Sequence, residues 1–241
     1  IPKLNYFVPQ LFLHRGITDL QRIGENAYRW SIRYQYAWEH TDKNYLLVMH
    51  NDVLVQKDVV QEMLQHIEGH AAVGLIGQCW NCPASFAKKC DGSRYAAFQP
   101  NLDELTYLYL TAEPQNPEHR KRLYHRPKFH PELQARPWPL PECRVNEFCA
   151  LINLERVRSL TCPVGLARPF GSMFNAGNEK FDTGVGWFRD ISHQGLLCCH
   201  IDLYQYVTHR SGTWAMEQKE RYIQRELAAA EILRSEYGIH F

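Results

Sequence analysis

Apolar and polar positions alternate along the chain in blocks that predict helices and strands. Residues 24–40 carry apolar side chains at helical spacing, which predicts a helix with one buried face. Residues 44–49 are almost continuously apolar and predict a strand that is covered on both faces. Asp58 can cap a following helix, which Gly69 ends, and residues 72–77 predict another strand. Strand, helix and strand in this order predict a βαβ unit with parallel strands.

A proline-rich segment separates this unit from the second half of the chain. Seven prolines lie between residues 114 and 141, so we expect a long loop there, either a functional lid or a solvated insertion. Beyond it the pattern predicts a strand at 148–154 with a short helix after it, a strand pair or one long strand at 196–208, and a helix at 216–237. The whole pattern predicts an α/β fold with a mostly parallel central sheet and flanking helices.

Composition and charge narrow the possible classes of protein. The chain has 241 residues, of which 45% are hydrophobic, and this excludes disorder and favours a single domain over residues 1–241. Lys and Arg number 27 against 26 for Asp and Glu, with no long run of one sign, so we expect no nucleic-acid partner. The sequence contains no apolar run of roughly 18 to 20 residues, so we expect no transmembrane segment and a cytoplasmic location.

A polar trio, His50-Asn51-Asp52, directly follows the first predicted strand. The carboxyl ends of strands in open α/β sheets are common ligand sites. A carboxylate in this place suits Mg²⁺ or Mn²⁺, which prefer oxygen ligands and share them with substrate phosphates. The alternative interpretation is a polar turn that only ends the strand.

The segment YLLVMHNDVLVQKDVV, residues 45–60, resembles the central segment of family 2 glycosyltransferases of the GT-A fold, in which a strand ends in an Asp-x-Asp motif. Upstream, residues 24–47 look like the family's Asn-bearing helix, with Asn26 in the matching place. Downstream, residues 146–157 resemble the acceptor-side strand, and residues 181–195 resemble the acidic segment. His209 matches the terminal metal-binding His. The resemblance covers residues 24–209 and implies a GT-A-like domain of the nucleotide-diphospho-sugar transferase superfamily.

This resemblance implies a metal site and a donor site. Asp52 and His209 would bind Mn²⁺ or Mg²⁺, and Asn26, Asn51 and Asp52 would bind the nucleotide-sugar donor. His50 stands where the family has its first carboxylate, which indicates a weaker or shifted metal site. Family members begin with a βαβ segment that cradles the nucleotide base, and residues 1–23 are too few to form it. We therefore expect a truncated N-terminal segment or an abbreviated nucleotide pocket.

Inverting transfer needs a base that deprotonates the acceptor hydroxyl, while a metal neutralises the leaving diphosphate. From the order of the family's acidic segment, Asp190 is the preferred base and Asp182 has a binding or structural role. Glu147 is the reserve candidate, and each carboxylate could instead lie on the surface or cap a helix. Trp187 and Phe188 could stack on a sugar, although large aromatic residues are more often core.

The sequence thus predicts a metal-dependent inverting glycosyltransferase that moves a sugar from a nucleotide-diphosphate donor to a glycan or another hydroxyl acceptor. The alternative is a catalytically degenerate GT-A-like domain that binds glycan or acts as a scaffold. A zinc hydrolase that uses His200, Asp202 and His209 is disfavoured, because strand alternation places His209 opposite the other two.

Four cysteines predict a second metal site. Cys79-x-x-Cys82 and Cys90 offer three ligands at a spacing suited to tetrahedral zinc. Cys143, at the end of the proline-rich segment, is our choice for the fourth, and the ion would tie that segment to the domain. Free buried thiols, a disulfide or a redox role are the alternatives.

Overall fold

The computed structural model describes residues 6–11, 13, 16–112, 131–176, 179–209 and 219–238. It has a mixed α/β fold. Its strands are β1 (Tyr45–Met49), β2 (Val53–Val55), β3 (Ala72–Ile76), β4 (Val145–Asn153), β5 (Phe174–Ala176), β6 (Glu179–Phe181), β7 (Cys199–His200) and β8 (Val207–His209). Its α-helices are α1 (Asn26–Trp30), α2 (Gln35–His40), α3 (Val59–His66), α4 (Pro83–Phe86), α5 (Leu102–Thr111), α6 (Pro131–Ala135), α7 (Leu154–Val157), α8 (Val185–His193) and α9 (Lys219–Tyr237). Most of the predicted proline-rich loop lies outside the described residues.

A four-stranded sheet with the order β1-β4-β3-β7 forms the centre of the fold. In the described part of this sheet, β4 is antiparallel to both of its neighbours, and β3 and β7 pair in parallel. The prediction of a mostly parallel sheet is therefore wrong. The strands β1 and β3 do run in the same direction, but they are not neighbours, because β4 lies between them. A strand-helix-strand pattern does not reveal that a strand from much later in the chain is inserted.

Strand β4 is buried along its whole length. Successive side chains of a strand point to opposite faces, and both faces of this one are covered. On one face Ala150 and Ile152 belong to a large apolar cluster that includes Trp187. On the other face Leu151 belongs to a cluster that includes Met63 of α3. Helices on both sides of a sheet are the arrangement that the α/β pattern predicts.

Strand β1 lies at the edge of the described sheet and is only partly covered. Val48 is buried, whereas Tyr45, Leu47 and Met49, which share the opposite face, are 37 to 44% exposed. The prediction of a strand covered on both faces is therefore wrong. A continuous apolar run does not distinguish a central strand from an edge strand, because both need apolar residues on the core side.

The helix predicted for residues 24–40 is interrupted. Helix α1 ends at Trp30 and α2 begins at Gln35, and between them Tyr34 has a φ of 66°. At this turn Arg33 pairs with Gly171 in an isolated antiparallel bridge. A Cβ on Gly171 would overlap the carbonyl oxygen of Arg33, so glycine permits this close approach.

Several other features can be compared with their predictions. Asp58 caps α3 by accepting a hydrogen bond from the Gln61 N–H at 3.0 Å. The prediction of a strand pair or one long strand at 196–208 is wrong, because this region forms two short strands, β7 and β8, that belong to different sheets. Gly238 ends α9 with a φ of 64°. Over the described ranges, no helix combines the length and apolar character that crossing a membrane requires.

Candidate metal and acid–base site

His50, Asp52 and His209 converge just beyond the carboxyl end of β1. One potential ligand atom from each lies within 4.8 Å of the other two, and no other group of three such side chains does so in the described part of the chain. The Oδ1 atom of Asp52 is 3.3 Å from Nε2 of His209 and 3.8 Å from Nδ1 of His50. Each side chain is between a fifth and roughly a quarter exposed, so an ion and a ligand can both reach the cluster.

Two strand pairings bring these residues together. The His50 N–H donates to the carbonyl of Phe148 at 2.9 Å, which extends the pairing of β1 with β4 by one residue. The next strand, β2, pairs with β8 so that Val53 lies opposite His209. The Phe148 ring stacks on the His209 ring with centroids 4.5 Å apart and planes 8° apart. Backbone pairing and one aromatic contact therefore hold His50, Asp52 and His209 in position.

The two nitrogens of His50 face different partners. Its Nδ1 atom faces Asp52, and its Nε2 atom lies 3.1 Å from the hydroxyl of Tyr34. Burial lowers the pKa of His50, while the nearby Glu147 carboxylate opposes this shift. A lowered pKa favours the neutral imidazole, which is the form that binds metals. An outer hydrogen bond to the second nitrogen orients such a ligand, and Tyr34 is placed to make it.

A second cluster of charged groups surrounds Arg144, at the start of β4. The Arg144 guanidinium lies 2.7 Å from Oε2 of Glu147 and 3.1 Å from Oδ2 of Asp182. The short contact with Glu147 is an ion pair whose angles are outside hydrogen-bond geometry. Gln78 donates to the same Asp182 oxygen at 3.0 Å. Glu147 is almost fully buried, whereas the Asp182 side chain is 44% exposed.

The two clusters are neighbours. Glu147 immediately precedes Phe148, whose carbonyl binds the His50 N–H and whose ring stacks on His209. The charge of Glu147 also acts on the pKa of both His50 and Tyr34. Glu147 therefore links the two clusters, through its ion pair with Arg144 and its effect on the pKa of His50.

Asp190 lies in a different environment. It is a residue of α8, and its Oδ2 atom accepts a hydrogen bond from the backbone N–H of Arg168 at 2.8 Å, with the Arg168 side chain 3.5 Å away. Burial raises the pKa of Asp190, against the lowering effect of the Arg168 charge. These contacts tie α8 to the segment around residue 168. A role for Asp190 as base stays a prediction.

The other predicted site residues are dispersed. Asn26 accepts a hydrogen bond from Arg29 at 2.8 Å within a network that includes Glu39, and Asn51 is exposed in the turn between the two metal-cluster residues. His200 accepts the Ile76 N–H at 3.0 Å, outside the His209 cluster. Trp187 and Phe188 are fully buried and belong to the core.

The four predicted zinc ligands line one small cavity together. Cys79, Cys82, Cys90 and Cys143 all contribute to its wall. Cys143 is far from the others in sequence, so its place beside them is a result of the fold.

Sequence reasoning missed four of the residues that shape the site. His50 was expected only as a substitution that weakens the metal site, and Tyr34 only as one position on a helix face. Gln78 directly precedes Cys79 and Arg144 directly follows Cys143, but nothing in the sequence pattern connects either residue to Asp182. His-x-Asp together with a later His is a usable signal, because imidazole and carboxylate are both common metal ligands.

Comparisons with protein-family models, curated proteins and solved structures found no match to this chain.

Proposed function

We propose that this chain is a metal-dependent inverting glycosyltransferase of the GT-A type, which moves a sugar from a nucleotide-diphosphate donor to a hydroxyl acceptor. The observation that carries the proposal is the cluster of His50, Asp52 and His209, which Glu147 links to the Arg144 cluster and its partly exposed Asp182 carboxylate. The order of the motifs along residues 24–209 supports the same activity.

The donor set fits a divalent cation. Asp52 supplies a hard oxygen ligand, and two imidazoles bind Mn²⁺ better than Mg²⁺. Burial lowers the pKa of His50, which favours its neutral form, and Tyr34 contacts its outer nitrogen. A cation bound here would offset the charge of the diphosphate leaving group. Because all three side chains are partly exposed, a diphosphate can share the cation.

Asp182 is the carboxylate best placed to act as the base. It is far more exposed than Glu147, so an acceptor hydroxyl can reach it. Arg144 and Gln78 both contact its Oδ2 atom, and the Thr183 N–H donates to Oδ1 at 2.8 Å. These contacts fix the orientation of the carboxylate, and orientation is what a general base needs. Glu147 is buried against Arg144 and serves to hold that guanidinium.

The ligand set itself favours one second candidate. Two histidines and one carboxylate are also the ligands of mononuclear Fe(II) oxygenases. A transferase would use the Asp182 carboxylate as the base that deprotonates the acceptor, whereas an oxygenase has no evident use for it. We therefore place the transferase first and test iron as the competing metal.

Calorimetry with UDP, GDP, CDP and dTDP in the presence of Mn²⁺ tests the proposal. We expect one nucleotide to bind, and we expect binding to disappear when the metal is removed. The Asp52→Asn variant should bind this nucleotide more than about tenfold more weakly, because an amide cannot supply the lost charge. Asp103→Asn, which changes an exposed carboxylate on α5, is the matched control and should bind normally.

Three results would contradict the proposal in different ways. No binding of any nucleotide at millimolar concentration would support a glycan-binding or scaffold domain. Equal nucleotide affinity in the Asp52→Asn variant would show that Asp52 does not bind a metal needed for nucleotide binding. Selective retention of Fe²⁺ together with consumption of O₂ would favour the oxygenase.

A further inference from the structure

One cavity in the fold is lined by half of the chain's cysteines. Its wall contains Cys79, Cys82, Cys90 and Cys143 together with the carboxylate-bearing residues Asp91 and Glu142. All eight cysteines of the chain are free thiols, and the other four lie elsewhere. The candidate active site described above uses none of them.

A compact local fold brings the first three cysteines together. A 3-10 turn, Cys79–Asn81, follows the end of β3, and the Cys82 N–H donates to the Cys79 carbonyl at 3.3 Å. Helix α4 begins directly after Cys82, with Pro83 at its first position. The N–H of Cys90 then returns to the carbonyl of Ala84 at 3.2 Å. The loop therefore closes on itself around the cavity.

Strand pairing brings in the fourth cysteine. The Gly77 N–H donates to the Arg144 carbonyl and the Gln78 N–H donates to the Glu142 carbonyl, both at 2.8 Å. Cys143 lies between these two acceptors, so it is held opposite the residues that lead into Cys79. The pairing spans more than sixty intervening residues, and it places all four cysteines in the wall of one cavity.

We propose that Cys79, Cys82, Cys90 and Cys143 bind one structural zinc ion. Each thiol would release its proton as zinc binds, and the four thiolates would coordinate the ion tetrahedrally. In such a site the sulfurs lie about 3.8 Å apart, given Zn–S distances of about 2.3 Å. Here no three of the cysteine sulfurs lie within 4.8 Å of one another, so they must move inwards, by rotation of the cysteine side chains, when the ion binds.

The zinc site would also stiffen the candidate active site, a consequence that rests on the proposed function while the zinc site itself does not. Gln78 directly precedes Cys79, and Arg144 directly follows Cys143. Both of these side chains contact Asp182. An ion that fixes the two backbones therefore fixes two of the groups that orient the carboxylate.

Elemental analysis of the full chain, purified under reducing conditions, tests the proposal. We expect about one equivalent of zinc. A double variant, Asp52→Asn with His209→Ala, should keep it, which distinguishes this ion from one in the His50 cluster. Cys90→Ser should lose most of the zinc, and Cys162→Ser should keep it as the matched control. Cobalt substituted for zinc should show the intense thiolate charge-transfer absorption of tetrahedral coordination.

A thiol titration of the native wild-type chain makes the test independent of whether Cys90→Ser folds. Stoichiometric mercurial reagent should release the zinc as four protected thiols react. Four freely reactive thiols with no metal would overturn the proposal, as would a disulfide among these residues detected by mass spectrometry. Iron in place of zinc would also overturn it. If zinc is present but no nucleotide binds, the zinc site stands and the proposed function fails.

Discussion

His50 takes part in two contacts that depend on each other. Its Nδ1 atom can bind a metal only if the proton resides on Nε2, and there the Tyr34 hydroxyl is 3.1 Å away and can accept it. Tyr34 itself is held in a left-handed backbone conformation. A residue other than glycine adopts such a conformation at a cost, and strain of this kind is frequent at functional sites.

Replacing Tyr34 by Phe should weaken Mn²⁺ binding about tenfold, because outer hydrogen bonds orient metal ligands. The aromatic ring remains, so its packing against Phe170 and the stability of the fold should change little. Calorimetric titration with Mn²⁺ measures the effect. Tyr36→Phe is the control, since the ring of Tyr36 stacks on Phe7 and His40, which are not members of the metal-binding group. Equal losses in both variants would show that the hydroxyl of Tyr34 has no specific role.

Asp182→Asn and Asp190→Asn should separate catalysis from stability. Loss of a positioned base should lower turnover by roughly 100-fold, so Asp182→Asn should show that loss with donor affinity nearly unchanged. Asp190→Asn should instead lower the free energy of unfolding by about 1–3 kcal/mol, because Asp190 accepts a backbone hydrogen bond and pairs with Arg168. Release of nucleotide diphosphate from the donor and urea unfolding measure the two quantities. A large loss of turnover only in Asp190→Asn would restore Asp190 as the base.

Single residues were predictable where local sequence determines their chemistry. Asp52 and His209 were named because a carboxylate at a strand end and a late histidine resemble known metal ligands, and the structure brings them within 3.3 Å. The choice between Asp182 and Asp190 could not be made in the same way. It depends on Arg144 and Arg168, which are distant in sequence from the carboxylates that they contact.

Among the elements, the turn between α1 and α2 depends on a glycine far away in the chain. Gly171→Ala would place a Cβ against the carbonyl of Arg33. We expect the free energy of unfolding to fall by about 1–3 kcal/mol, because the backbone must move to relieve the overlap. Mn²⁺ affinity should fall as well, since Tyr34 is the next residue in this turn.

Gly24→Ala is the matched control for this turn, because a Cβ there meets nothing within 4 Å. Thermal unfolding and Mn²⁺ titration of both variants provide the measurements. If Gly171→Ala is as stable as the wild type, the close approach at Arg33 does not determine the turn.

Helices and strands were predictable where the spacing of apolar positions matches the face that the fold buries. Helix α3 and strand β3 match their predictions because a cap, an apolar face and a terminal glycine all lie within one short stretch. The break at Tyr34 was not predictable, because the apolar positions keep helical spacing across it. It follows from the bridge to Gly171, a tertiary contact that overrides local preference.

At the scale of the whole molecule, the sequence predicted the layers of the fold but not the order of its strands. Apolar runs separated by an amphipathic helix predict a sheet with helices on its faces, and both faces of β4 are indeed covered. The antiparallel position of β4 between β1 and β3 depends on which strand fills the centre. Several apolar strands could occupy the central position, and their apolar character alone does not determine which of them does.

The central place of β4 also has a consequence for how the chain acquires its fold. Strands β1 and β3 each pair with β4, whose first residue, Val145, is made long after both of them. The contact order of the sheet is therefore high, and loop-closure entropy opposes its assembly until late. During synthesis, the backbone groups of β1 and β3 that pair with β4 stay unpaired until β4 has been made, and unpaired strand edges promote aggregation. A nascent chain that stops before Val145 lacks the strand that joins β1 to β3.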